Sequence, residues 1–524
     1  MIERQADVVV IGGGTTGVGV VRDVAMRGYR AVLLDKADLA QGTSGRFHGL
    51  LHSGGRYVVT DPESATECAQ ENAIIGRIQA NAVERTGGLF VTLPGDPDPT
   101  WADRFLEGAR STNVPAEEID PAQALRLEPR LNPAVERVFR VEDAGVDGWQ
   151  LAWSAARSAE EYGAAILTYT KVTEILRDAD HVTAVRAHDF KTGEDIVISC
   201  GFVLNCAGPW AGQVSAMAGC QPVSVVPGRG IMIAVNRFTH VCLNRCIKPS
   251  DGDLIVPVHG VSIIGTTDVR AEDPDRLAIP RNEVQQMLDS AEHLTPGFRQ
   301  VRPLHVWSGA RPLIQDTRVQ ASDTRHMSRG MAVVDHSEHD GLKGLLTIGG
   351  GKLTTYRLMA EHIVDAMEAQ TGQHHPCRTA DEPCPGNLPG HNYQLSHRLK
   401  EREADRLDDQ IICECELMSR TQFVELLKTK PHATLDDLRR QLRLGMGPCQ
   451  GGFCSSRTAA LAFEEGAIDI ERATGLLRLF LTNRWYGLWP VLHGDQVRQA
   501  ALDDWILQGL LDIAHLPEQV KEVV

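Results

Sequence analysis

An α/β fold built around a parallel sheet is predicted by three stretches of the sequence. Each is a short apolar run entering a glycine-rich turn. Val8–Ile11 precedes Gly12-Gly13-Gly14-Thr15-Thr16-Gly17, Phe202–Asn205 precedes Ala207-Gly208, and Leu345–Ile348 precedes Gly349-Gly350-Gly351. A run that is apolar throughout suits a strand covered on both faces, as parallel strands are when helices flank them. The 524 residues suffice for about three structural units. A composition of 42% hydrophobic and 23% charged residues is that of a soluble globular chain rather than a fibrous or disordered one.

The first turn is the most informative. Its glycines match G-x-G-x-x-G, a helical pattern runs from there to Arg27, Gly28 closes it, and a second apolar run, Ala31–Leu34, ends at Asp35. In that arrangement Gly12 makes the tight turn, Gly14 admits a pyrophosphate to the backbone, and Gly17 lets helix and strand pack closely. The helix start supplies free N–H groups and the positive end of a dipole, and Asp35 stands where an acid takes ribose hydroxyls. The fingerprint alone does not choose between NAD and FAD. The small-residue loop Gly42-Thr43-Ser44-Gly45-Arg46 and the other two turns, far apart in sequence, favour one large cofactor held by discontinuous segments, which is FAD.

Other classes are excluded. The formal charge is −16 with no long basic run, so nucleic acid and bare anionic lipid are poor partners. No apolar stretch reaches the roughly eighteen residues that cross a bilayer. The N-terminus lacks the tripartite pattern of a signal peptide. The expectation is a cytoplasmic protein, with peripheral membrane attachment left open. Twelve cysteines in such a compartment are not expected to form disulfides. Eight are scattered, and four lie near the C-terminus as Cys413-Glu414-Cys415 and Cys449-Gln450-Gly451-Gly452-Phe453-Cys454.

Four further motifs carry a resemblance. They are Gly49-Leu50-Leu51-His52-Ser53-Gly54-Gly55-Arg56-Tyr57, Ile264-Gly265-Thr266-Thr267-Asp268, Trp307-Ser308-Gly309-Ala310-Arg311-Pro312-Leu313 and Gly350-Gly351-Lys352-Leu353-Thr354-Thr355-Tyr356-Arg357. With these the chain resembles the FAD-dependent glycerol-3-phosphate dehydrogenases, and among them the A subunits of the anaerobic three-subunit form. The resemblance covers nearly the whole chain. It implies a two-dinucleotide-fold, glutathione-reductase-like flavin domain over residues 1–370, with substrate-lid insertions at about 85–140 and 221–335. It implies cofactor contacts at Gly12, Gly14, Gly17, Asp35, Thr43, Ser44, Val172, Ala207, Gly208, Gly350, Gly351, Leu353 and Thr354.

The same resemblance places Arg56, Tyr57, Thr267, Arg311 and Lys352 at the substrate, sn-glycerol 3-phosphate, with Arg311, His52 and Lys352 as catalytic candidates. A phosphate dianion calls for charge-assisted hydrogen bonds, for which Arg is suited by its fork geometry. A flavin-dependent amino-acid dehydrogenase of the proline or sarcosine type is the alternative. Three cations exceed what its monocarboxylate substrate needs. Aerobic members of the family carry a histidine after the second flavin signature. Here that stretch, Pro227–Ile233, has none, which leaves the proton acceptor open between His52 and His305, with Arg229 as a neighbour.

Residues 371–408, with Pro376, Pro383, Pro385, Gly386, Pro389 and Gly390, read as an exposed linker. Residues 409–524 read as a small, mainly helical cysteine domain. Four thiolates fit either zinc or an iron–sulfur centre. The C-x-C and C-x4-C pairs are similar to those of bacterioferritin-associated ferredoxin, a 2Fe–2S carrier, although zinc or an empty site stays open. Trp485, Tyr486 and Trp489 are expected to cover this domain against the flavin domain, with docking of a partner or a membrane interface as the alternative. The family further implies quinone as final acceptor and two partners, a second soluble subunit plus an iron–sulfur membrane-anchor subunit.

Overall fold

A computed structural model of the chain describes residues 2–512 apart from 222, 315–329, 389–393, 406–407 and 431–432, together with residue 515. Pro389 and Gly390, and part of the second insertion, therefore lie outside the described residues. The central sheet has six strands in the order Ala165–Leu167, Ala31–Leu34, Val8–Ile11, Phe202–Asn205, Leu345–Gly350 and Met331–Asp335. All neighbours are parallel except the last pair. The three apolar runs are thus adjacent strands, and their glycine turns emerge at one edge of the sheet.

Each strand's alternation decides what covers it. Val8, Val10 and Leu33 point to one face, against the helices Thr15–Met26, Gly148–Glu161 and Tyr356–Thr371. Val9, Ile11, Val32 and Leu34 point to the other, against Val172, Ile175, Val185 and Ile196 of a small antiparallel sheet. All eight positions of Val8–Ile11 and Ala31–Leu34 are buried. Removing both faces from water is what makes a run apolar at every position stable as a strand.

A second, mixed sheet packs beside the first. Gly88–Thr92, Ala116–Ile119 and Arg137–Val141 from the first predicted insertion join Val225–Asn236, Cys242–Arg245, Leu254–Val258, Val261–Gly265 and Pro303–Ile314 from the second. The strand Pro303–Ile314 pairs antiparallel with Val225–Asn236 along nearly its whole length, setting Arg311 opposite Gly228. Helix Arg281–Leu294 covers this sheet through Val284, Met287, Leu288 and Ala291. Among the described residues no helix is long and apolar enough to cross a membrane.

The expected exposed linker is not one in its first half. Arg22, almost wholly buried, donates to the backbone carbonyls of Thr379 at 3.1 Å and Glu382 at 2.6 Å, and Arg27 donates to that of His375 at 3.0 Å. A buried guanidinium needs acceptors, and the strap supplies them. Cys384 and Thr379 are buried with it. A helix, Leu395–Asp405, then leads to the cysteine domain.

That domain is helical, as expected, with a two-stranded ribbon at Ile411–Cys413 and Met418–Ser419. It docks on the flavin domain through buried charges. Arg440 pairs with Asp38 at 3.1 Å and with Asp437. Arg443 bridges Asp147 of the flavin domain at 2.7 Å and Glu416 at 3.1 Å, and His259 reaches Glu416 at 3.2 Å. Burial alone would raise the Glu416 carboxyl, but Arg443 and His259 hold it down at about 2. Of the three expected covering aromatics, only Trp485 packs inward, against the substrate sheet, while Tyr486 and Trp489 are exposed.

Removing one partner of a buried ion pair strands the other charge, at a cost of about 3 kcal/mol or more. Arg443→Met therefore takes from Asp147 its nearest cation and leaves Glu416 to His259 and the more distant Arg398. It is expected to lower the thermal midpoint and expose the segment around residues 395–410 to protease, read by differential scanning calorimetry and timed trypsin digestion.

Candidate cofactor and substrate site

The glycine turns converge on one cavity of about 520 Å³, within the range of small-molecule sites. Gly12, Gly14, Asp35, Thr43, Ser44, Val172, Ala207, Gly208, Gly350, Gly351 and Leu353 line it, and so do His52, Tyr57, Arg311 and Lys352. Four expected contacts do not line it. They are Gly17, Thr354, Arg56 and Thr267.

The reasons for these four are structural. A Cβ on Gly17 would lie 1.8 Å from the Gly12 carbonyl oxygen, so Gly17 serves the helix–strand approach rather than the ligand directly. Thr354 is fully buried, and its hydroxyl accepts from the His52 backbone N–H at 3.1 Å. Thr267 is fully buried too, donating to Glu283 at 2.7 Å and accepting from the Ile231 N–H at 3.2 Å. Arg56 turns to Asp253 at 3.0 Å and Asn244 at 3.3 Å, so its charge is compensated away from the cavity. Two further candidates also fall elsewhere. Arg229 is buried and paired with Glu283, and His305 lines a different cavity.

The cradle for a dinucleotide fits. Helix Thr15–Met26 begins with no side chain capping Gly14, which leaves N–H groups for an anion. A Cβ on Gly14 would meet Ser44 Oγ at 3.2 Å and no other atom within 4 Å, so only that hydroxyl would have to give by a few tenths of an ångström. Ser44 Oγ in turn accepts from the Thr15 N–H at 2.9 Å and fixes the small-residue loop over the helix start. Asp35 accepts from the N–H groups of Gly13 and Ala37. Burial raises its pKa to about 6 despite them.

The other part of the cavity is polar and crowded with rings. His48 and His52 stand edge to face at 5.7 Å, and His52 lies 5.4 Å from Tyr57. Lys352 sits over the Tyr57 ring at 4.6 Å and donates to Ser64 Oγ at 2.6 Å. Arg311 is oriented by Asp268 at 3.2 Å, by Thr266 Oγ1 and by the Thr267 carbonyl at 3.1 Å. Sequence reasoning missed His48 and Arg46, both in the lining. Arg46 was already inside the loop singled out, and its proximity to the fingerprint was the usable signal. No spacing rule points to His48. Its Nδ1 accepts from the Leu50 N–H at 3.1 Å, so the neutral ring carries its proton on Nε2 and presents a donor.

The four C-terminal cysteines meet as two pairs, Cys413 with Cys454 and Cys415 with Cys449. The N–H groups of Gly451, Gly452 and Phe453 point at Cys449. With its thiol partner Cys415 they bring its pKa down to about 5. A Cβ on Gly447 would fall 2.3 Å from that of Cys415, so the chain wraps closely. Among the described residues one group of three ligand-type side chains has all its donor atoms within 4.8 Å of one another, namely Cys220, His336 and Asp340. No trio from the quartet does. A single tetrahedral zinc, with Zn–S bonds of about 2.3 Å, draws all four sulfurs together. The pairs adjoin, Cys415 interacting with Cys413 as well as with Cys449, so the four thiols form one ligand set.

The FAD dependent oxidoreductase pattern matches residues 7–365. The chain belongs to that family. Within the family it belongs with the anaerobic glycerol-3-phosphate dehydrogenase A subunits. It is 38% identical to the A subunit of the anaerobic glycerol-3-phosphate dehydrogenase of Escherichia coli (strain K12), covering 97% of each chain. It is 37% identical to the A1 subunit of the enzyme so named in Haloferax volcanii, covering 96% of this chain and 90% of that one. The crystal structure of the glycerol-3-phosphate dehydrogenase from Bacillus halodurans complexed with FAD shares the fold, with a TM-score of 0.64 and 22% identity over 94% of this chain and 96% of that one. The six-stranded sheet with its glycine turns is the cofactor sheet, and the mixed sheet that carries Arg311 is the substrate sheet.

Gly14→Val tests the cradle. The added carbons press on Ser44 Oγ and occupy the space a pyrophosphate would take, so the variant is expected to fold and to purify colourless. Absorbance at flavin wavelengths, set against a circular dichroism spectrum like the wild type's, checks this.

Proposed function

We propose that the chain oxidises sn-glycerol 3-phosphate to dihydroxyacetone phosphate with FAD as hydride acceptor, in place on the cytoplasmic side of a membrane through partner subunits. The observation that carries the reading is that one cavity joins the dinucleotide cradle to Arg311 and Lys352. With Arg56 turned away, two of the three expected cations line the cavity, which Lys36, Arg46 and Lys171 also line. Two still match a phosphate dianion better than the single carboxylate of an amino acid. The relatives' names support the same choice.

Bound FAD supplies the acceptor for the hydride leaving carbon 2. The chain's own residues do the rest. Arg311, held in its fork geometry by Asp268 and the Thr267 carbonyl, takes the phosphate. Lys352, anchored on Ser64 and the Tyr57 ring, holds the reacting hydroxyl oxygen. His52 takes the hydroxyl proton, because His48 is committed as a donor through its bond to Leu50. Arg56 keeps Asp253 and Asn244 in place behind Tyr57.

The cysteine domain is read as a 2Fe–2S carrier, Cys413 and Cys454 on one iron and Cys415 and Cys449 on the other. It passes electrons to two partners, a second soluble subunit plus an iron–sulfur membrane-anchor subunit, with quinone as the last acceptor. The paired sulfurs and the N–H groups aimed at Cys449 support it.

Arg311→Ala is expected to lower kcat/KM for glycerol 3-phosphate by about 2–3 kcal/mol in transition-state terms, roughly 30- to 150-fold, and to affect oxidation of glycerol far less. Equal losses on the two substrates would remove Arg311 from the phosphate.

Cys449→Ser separates the two halves of the reaction. Substrate is expected still to bleach the flavin anaerobically, while delivery of electrons to the partner subunits falls and the reduced protein loses its low-temperature EPR signal. Zinc in the anaerobically purified wild type would overturn the iron–sulfur reading.

A further inference from the structure

A second cavity, of about 450 Å³, lies between the flavin domain and the cysteine domain. It shares Gln41, Arg46 and Phe47 with the first cavity, so that segment is the wall between the two. On its far side it reaches Met446 and Gln450, the latter beside Cys449. Nothing in the proposed reaction uses it.

Its lining has a definite chemistry. Four aromatic side chains, Phe47, Trp149, Trp307 and Tyr486, face it together with aliphatic residues of the substrate sheet. The indole N–H groups of Trp149 and Trp307 are buried without an acceptor among the described residues. Four guanidinium groups also line it, those of Arg46, Arg439, Arg440 and Arg443, against one carboxylate, Asp147, which Arg443 already holds. Arg440 is matched by Asp38 and Asp437, and Arg439 by Asp436 at 2.9 Å. The Arg46 guanidinium makes no ion pair or hydrogen bond to any described residue. Burial pushes the pKa of the half-buried Arg439 down, while Arg46 is exposed at the wall between the two cavities. A guanidinium keeps its charge, so Arg46 at the edge of this aromatic cavity can give a charge-assisted hydrogen bond to an anion that enters it.

We propose that this interdomain cavity is a second ligand site, which binds a flat aromatic ring carrying one anionic group, with Arg46 and Arg439 toward the anion and the tryptophan and phenylalanine rings along the flat faces. The volume suits a two- or three-ring molecule. Stacking on aromatic walls and a charge-assisted bond to a guanidinium are the two terms that fix such a ligand. Because Arg46 belongs to both cavities, this ligand and the cofactor lie on either side of one side chain.

The probe is 8-anilinonaphthalene-1-sulfonate, a fused-ring aromatic anion, titrated into the FAD-loaded protein. Excitation of tryptophan is expected to give saturable energy transfer to one bound probe. Ile279→Trp, which fills the cavity from a loop, is expected to raise the dissociation constant about tenfold or more, and Arg439→Gln to raise it severalfold. FAD absorbance and melting temperature qualify each variant. If Arg439→Gln does not fold, Ile279→Trp alone decides. Failure of the FAD-loaded wild type to show a saturable site overturns the proposal, because the cofactor itself then satisfies Arg46. Unchanged affinity in the qualified variants overturns it as well. So does binding that disappears on Trp505→Ser, which places the probe on the exposed C-terminal helix.

Discussion

The close approach of one helix to one strand end sets the rest of the structure. The Gly12 carbonyl oxygen occupies the space that any side chain at residue 17 would need, so helix Thr15–Met26 starts immediately above the sheet edge. From that position its first turn faces outward, the Gly42–Arg46 loop lies across it with Ser44 Oγ on the Thr15 N–H, and Asp35 closes the side. The neighbouring turns, after Asn205 and Ile348, reach the same edge because their strands are the next two in the sheet. A wider helix–strand spacing would displace all of these together.

Charge does for the cysteine domain what apolar packing does for the sheet. The domain has a small core of its own around Ile412, Phe423, Leu438 and Phe480, and it is attached both by Leu488, Val491 and Ala500, which join the core of the mixed sheet, and by Arg440 and Arg443 reaching carboxylates of the other domain. Such pairs are costly to bury and costly to break, and they are directional. They hold the Cys449 loop in one orientation toward the flavin domain, which an apolar interface of the same size would define less sharply.

Much of this was legible in the sequence because the signals were local. Val8–Ile11, the fingerprint glycines and Asp35 occupy consecutive positions, and each constrains the next. The motif around Arg311 and that around Lys352 were legible as pocket residues for the same reason. Arg56 and Thr267 were not distinguished from them, because what turns a side chain away is a partner distant in sequence, Asp253 for one and Glu283 for the other. The segment 371–388 looked like a linker from its prolines, yet the residues that bind it down, Arg22 and Arg27, lie at the opposite end of the chain. Proline content reports backbone stiffness and says nothing about what a stiff segment rests on. His48 was missed because its tautomer is set by a backbone group two residues away, which no composition rule records.

The pairing of Pro303–Ile314 with Val225–Asn236 has a mechanical consequence. These are the longest strands of the substrate sheet, twelve residues each, and Arg311 is carried near the end of one of them. A long antiparallel pair bends as a single plate, so Arg311 has no hinge of its own. Any rocking of the substrate sheet against the cofactor sheet moves the guanidinium through the same arc as the plate that carries it. Entry and grip are then one degree of freedom: the motion that opens the cavity to solvent is the motion that withdraws its cation.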